Sequence, residues 1–196
     1  GKFGIHPTYI QEMINIKLDE NKMLEGINQL RNLGASRYDV NLVRSEFQKP
    51  IKLQRGKWSP KSKIKGKEVL LVSSGPNLKE YKLEIENYIL KNRPLVIALN
   101  SSTGINSKLI DLYVACNPLT LLSELKKIMK FKKPVVLPKS ILSQNKINKL
   151  NSLKVLDYGV GISENKFEIL DNCSSIPKLY TVAYALSVAT SGQAKR

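Results

Sequence analysis

The stretch Ser73-Ser74-Gly75-Pro76-Asn77 places hydroxyls, a side-chain amide and a residue without Cβ side by side, between an apolar run and a helix-forming one. That chemistry suits an anion. A helix starting near Asn77 leaves its first N–H groups without intrahelical partners, and they point out of its positive end. Gly75 lets the backbone approach a phosphate closely, and Pro76 withholds no useful donor while supplying a φ suited to a first helical turn. Ser73, Ser74 and Asn77 add side-chain hydrogen bonds. The same residues also cap a helix well without binding anything, and neither a dinucleotide GxGxxG nor a GxxxxGK[ST] loop is present to separate the two readings.

Other reactive groups are sparse. Asp157 lies near the end of an apolar run and is the best-placed carboxylate for a ligand or Mg²⁺ contact, with a structural role open beside it. Glu80 and Glu164 are the other acids available to a catalytic step. Thr181 opens a helix of small residues, which reads first as a sheet cover, but its hydroxyl can reach a ligand at the strand ends. His6 is the only histidine; Glu12, Asp19 and Glu20 stand at no ligand spacing from it, and no GxSxG elbow supports a Ser-His-Asp triad. It is read as fixing a helix start ahead of Pro7. Cys116 and Cys173 have no CxxC spacing, so neither a metal site nor a disulfide framework is indicated, and a reducing, cytoplasmic compartment is expected.

Short apolar runs at 68–73, 95–99, 111–116, 134–138 and 154–159 alternate with helix-like stretches at 78–92, 118–131, 141–152 and 179–192. Near-continuous apolarity is the mark of strands covered on both faces. The alternation predicts an α/β fold: a Rossmann-like open, mostly parallel sheet with helices on both faces, binding ligands beyond the carboxyl ends of its strands. Residues 67–196 form this domain. Residues 1–50 carry helical spacing (Ile10, Met13, Ile14, then Met23, Leu24, Ile27, Leu30, Leu33) and predict a short all-helical segment. Residues 51–66, rich in Lys, Pro and Gly, read as a basic linker, with Trp58 anchoring it to a domain.

The chain has 196 residues, 42% of them hydrophobic, enough for a sizeable core. Thirty-two Lys and Arg against sixteen Asp and Glu leave a formal charge of +16, which favours acidic or phosphorylated partners. The basic residues are scattered and form no concentrated stripe, which argues against nucleic acid. No apolar run approaches the roughly 20 residues of a membrane span, and no signal-peptide layout opens the chain. The sequence begins without Met and stops at Ser-Gly-Gln-Ala-Lys-Arg where a helix should hand over to a strand, so both ends read as cuts in a longer chain.

The segments "VLLVSSGPNLKEY", "PLVIALN", "DLYVACN" and "TVAYALSVATSGQAKR" together resemble the Rossmann-like Gly-Pro-Ser family. Its members include hydroxymethyl-dihydropterin pyrophosphokinases, motility accessory factors and, more remotely, certain sialyltransferases. The resemblance implies that Gly75 and Pro76, with Asn77 where the family has Ser, contact the phosphates of a nucleotide or nucleotide-sugar, and that Asn100 after the second strand helps hold it. "GIHPTYIQEM" and "EGINQLRNLGASRYD" resemble the helical tail after the catalytic barrel of bacterial aldolases of the hydroxymethylglutaryl-lyase and 4-hydroxy-2-oxovalerate aldolase type. That second resemblance implies an upstream aldolase barrel as partner, whose metal-binding HxH pair lies outside this chain.

Three functions follow as expectations. The first is a nucleotide- or nucleotide-sugar-binding C-terminal module of an aldolase-type, carbon-carbon lyase enzyme in surface polysaccharide biosynthesis. No catalytic residue lies in the chain on this reading, Mg²⁺ would come only with the nucleotide, and assembly into homo-oligomers stays open. The second is a stand-alone sugar- or pyrophosphoryl-transferase, which needs a base or metal carboxylate near the turn. The third is a non-catalytic interaction domain whose lysines dock an acidic partner. The fold does not separate them, because Rossmann-like sheets host many chemistries.

Overall fold

The computed structural model describes residues 51–195 apart from 74, 76, 101–103, 117–124, 129, 131, 143–146, 149 and 164. The helical segment expected over 1–50 with His6, and the candidates Ser74, Pro76 and Glu164, lie outside the described residues.

Each of the five apolar runs becomes a strand: β1 Val69–Val72, β2 Leu95–Leu99, β3 Leu112–Val114, β4 Val135–Leu137 and β5 Val155–Asp157. They form one parallel sheet in the order β1-β2-β3-β4-β5. Val96, Ile97, Val114, Val135 and Val136 are fully buried. Successive side chains point to opposite faces, so the sheet is covered on both sides, and each such residue contributes about 1.5–3 kcal/mol of burial. The fold is the open, Rossmann-like α/β sheet expected from the alternation.

The strand order follows the chain order without a reversal among the described strands. Right-handed crossovers that all advance in one direction fall on one face of the sheet. That leaves the other face of β2 to the last helix, Thr181–Ser191, which packs against β2 and against a second sheet. The helix expected over 78–92 is divided at Tyr81 into α2 Asn77–Glu80 and α3 Lys82–Asn92, although Tyr81 N–H still donates to Asn77 O (3.0 Å) and Ile85 N–H to Tyr81 O (3.0 Å). The helices expected over 118–131 and 141–152 fall partly outside the described residues; α4 Leu125–Ile128 is a helical piece of the first.

A second sheet is the main feature the sequence did not announce. β6 Gly159–Ile162 and β8 Cys173–Ile176 pair in parallel, and β7 Glu168–Ile169 adds antiparallel to β8. The basic stretch from Ile51 to Gly66 is laid along this sheet. Ile162 N–H donates to Ile51 O (2.9 Å), Gly56 N–H to Asn172 O (3.0 Å) and Trp58 N–H to Asp157 O (3.0 Å). Asn172 Nδ2 returns a bond to Gly56 O (2.8 Å). The approach is so close that a Cβ on Gly159 would stand 1.9 Å from Gln54 O, and one on Gly56 2.0 Å from Asp157 O. Further on, α1 Lys61–Ile64 buries Ile64 completely, and Trp58 packs partly buried against the core with its Nε1 donating to Ser62 Oγ (3.2 Å). The stretch read as a linker is therefore a strap packed on the domain.

Candidate functional site

The carboxyl ends of β1 and β2 lie side by side, with Val72 opposite Ala98. After β1 the chain turns through Ser73 and Gly75, both exposed, and Gly75 N–H donates to Ser73 O (2.9 Å). Leu78 N–H donates to Gly75 O (3.1 Å) and starts the helical ladder of α2. Leu78 is buried, and its side chain meets the position a Cβ on Gly104 would take, at 3.2 Å, so the turn after β1 is packed on the loop after β2. Gly75 has no positive φ, and among the described residues a Cβ built on it meets nothing within 4 Å. The described surroundings therefore give no reason for glycine at 75.

Asn100 follows β2 in the left-handed region, with φ 59°. Asparagine tolerates that region better than most residues because its short amide bonds locally. Its N–H donates to Val114 O (2.9 Å), which fixes the end of β2 to the end of β3. Its Oδ1 accepts from Thr181 Oγ1 at 3.2 Å. Thr181 is the first residue of α5, Thr181–Ser191, and in turn accepts from the Cys116 thiol at 4.0 Å. Asn100 and Thr181 thus come together at the carboxyl edge from positions 81 residues apart. Cys116, two residues beyond β3, joins them. The missing CxxC spacing of Cys116 and Cys173 gives no sign of this contact, although the run Asp111–Cys116 ends on the same edge as its neighbours.

The helix that carries Thr181 is held along its length. Tyr184 is buried, donates its hydroxyl to Tyr158 O, and meets the Tyr158 ring edge-on at 5.6 Å. Tyr158 in turn donates to Cys173 O (2.9 Å) and Leu170 O (3.1 Å). At the far end a Cβ on Gly192 would fall 2.6 Å from the Ile64 side chain, so α5 closes directly onto α1. Burial pushes the Cys116 thiol up to about 12, with the Thr181 hydroxyl pulling weakly the other way. Burial likewise raises the Tyr158 hydroxyl to about 12 and the Tyr184 hydroxyl well above its ordinary value. These groups are neutral hydrogen-bonding parts, not bases.

Asp157 is placed elsewhere. It ends β5, three strands from β2, or about 14 Å at the usual strand spacing. Its Oδ1 accepts from Lys139 N–H at 2.9 Å, which fastens the turn after β4. Glu80 is exposed at the end of α2. Among the described residues no group of three or more His, Cys, Asp or Glu side chains is placed to hold a metal ion. No described helix is long and apolar enough to cross a membrane. A cavity of about 440 Å³ lies at the opposite, amino edge of the sheet, between Lys67, Ile89, Arg93, Pro94, Leu109 and Asp111. It shares no residue with the carboxyl-edge group. Compared with protein-family models, curated proteins and solved structures, the chain matches none.

Proposed function

We propose that the chain is a phosphate-recognising module that binds a nucleotide or nucleotide-sugar at the carboxyl ends of β1 and β2. The observation that carries this reading is Gly75: a glycine with neither a positive φ nor, among the described residues, a neighbour to avoid, at a strand-to-helix turn, leaves room for a group from outside the chain. On this reading the Ser73–Asn77 turn takes the phosphates. Asn100 turns its amide, oriented by Thr181, toward the rest of the ligand. The +16 charge raises the local concentration of a polyanion, and the two free, buried cysteines suit a reducing cytoplasm. In the setting the sequence resemblance implies, the module serves an aldolase-type lyase whose barrel chemistry lies outside this chain.

Calorimetric titration with CMP, UDP, GDP, ATP and CMP- or UDP-sugars, with and without Mg²⁺, tests it against a Gly75→Val variant. Micromolar binding that the variant abolishes supports the reading. Heat that is unchanged in Gly75→Val removes the turn from the site, and no heat with any of them from the folded protein leaves the interaction domain.

A further inference from the structure

The basic residues are scattered along the sequence, but the fold sorts them by sheet edge. In the four residues ahead of each strand of the five-stranded sheet the chain has eight Lys or Arg, and in the four after each strand it has one, Lys139. Lys67 precedes β1, Arg93 β2, Lys108 β3, Lys132 β4 and Lys154 β5, and all five are exposed. The strands are parallel, so these cations stand at one edge, the amino edge. The ladder keeps the strand starts level: Leu95 N–H donates to Glu68 O (2.8 Å), Asp111 N–H to Val96 O (3.0 Å), Tyr113 N–H to Pro134 O (2.9 Å) and Val135 N–H to Lys154 O (3.0 Å). Lys67 and Arg93 line the same cavity, and Lys195 N–H donates to Lys67 O (2.8 Å), which brings a sixth exposed cation to the β1 end. At the usual strand spacing the row is about 19 Å long.

Two acids stand among these cations, and the protein engages both. Glu68 Oε1 accepts from the Tyr88 hydroxyl, and Asp111 Oδ2 from Val96 N–H (2.9 Å). Among the described residues none of the six cations is in an ion pair. Residues 1–50 hold seven basic and six acidic residues, so the +16 belongs almost wholly to residues 51–196, and the first fifty have no surplus of acid to set against the row. The edge offers charge without a cradle. Helix α3 ends there at Asn92 and turns the negative end of its dipole toward it, so a single phosphate meets no set of free N–H groups such as a helix start provides. Affinity at this edge comes from many charges summed along one partner.

We infer that the amino edge of the five-stranded sheet is a docking surface for the phosphate backbone of a duplex nucleic acid, bound without regard to base sequence. A row of cations fits a linear polyanion, and a duplex carries one charge per about 1.7 Å of its axis, or about ten over a row of this length. A duplex is already straight over that distance, whereas an acidic peptide must be ordered to lie along it. Five of the six cations are lysines, point charges that hold phosphate without the fixed fork that reads guanine. The inference rests on the amino edge and is independent of the nucleotide reading at the carboxyl edge.

Fluorescence anisotropy of a labelled duplex DNA of mixed sequence, titrated with the whole chain over a range of salt, tests it. With about five phosphates engaged, the logarithm of the affinity should fall against the logarithm of the salt concentration with a slope of about −4.5. The triple variant Lys108→Glu, Lys132→Glu, Lys154→Glu, its fold checked by circular dichroism, should bind at least about tenfold more weakly, with a slope of about −2. Lys52→Glu, Lys57→Glu, Lys79→Glu makes the same change of net charge at exposed positions away from this edge, and should weaken binding less than about threefold. Gly75→Val should bind the duplex as the unaltered chain does, which separates this test from that of the nucleotide site. Equal losses in the two triple variants would reduce the effect to net charge. Displacement of the duplex by polyglutamate as readily as by unlabelled duplex would assign the edge to an acidic protein. Either result, or no binding at low salt, would overturn the inference.

Discussion

At Gly75 the open space separates ligand binding from folding. Among the described residues a Cβ there meets nothing within 4 Å, so Gly75→Val should leave thermal stability within about 0.5 kcal/mol while, on the proposed reading, removing phosphate affinity. Thr181→Val keeps the shape of the side chain but takes away the donor to Asn100 Oδ1. It should cost about 1 kcal/mol by denaturant unfolding and weaken the ligand by loosening the amide. Cys116 gives a pH signature. Its thiol ionises at about 12 in the fold instead of the ordinary 9.0, because burial disfavours the thiolate. Between those values the unfolded chain has released the proton and the folded one has kept it. Stability should therefore be whole below pH 9 and fall as pH rises toward 12, and the fall should be shallower in Cys116→Ala, measured by urea midpoints across that range.

Among the elements, the strap over the second sheet depends on glycine at two facing positions. In Gly159→Ala the new methyl would sit 1.9 Å from Gln54 O, so the strap must lift, and unfolding should show a loss of at least about 2 kcal/mol. What the sequence disclosed divides along the same line. The runs that became β1 to β5 were legible because strands buried on both faces are nearly continuous in Val, Ile and Leu. Gly159-Val160-Gly161-Ile162 alternates β-branched residues with glycine, which strands usually avoid, and Cys173-Ser174-Ser175-Ile176 shows neither continuity nor alternation. Their residues answer to the strap lying against β6 and to the helix behind β8, which are tertiary facts. Residues 51–66 read as a linker for the same reason: the bonds of Gly56 and Trp58 reach partners about a hundred residues on, at Asn172 and Asp157. In the site, the turn after β1 was visible as a turn, whereas the bond between Asn100 and Thr181 has no local signature.

For the whole molecule, the charge and the sheet polarity make one account. A chain of formal charge +16 should bind a polyphosphate with an affinity that falls as salt rises, measured by repeating the titration from low to physiological ionic strength. An apolar ligand would lack that dependence. On the proposed reading the ligand belongs at the carboxyl edge of the sheet. That edge gathers Gly75, Asn100 and Thr181, while the amino edge holds the cavity beside Lys67 and Arg93. The most direct measurement is an amide NMR titration with a nucleoside diphosphate. The account predicts shifts concentrated at Ser73, Gly75, Asn77, Asn100 and Thr181. Shifts concentrated instead at Lys67, Arg93 and Asp111, or no shifts at millimolar ligand, would contradict it.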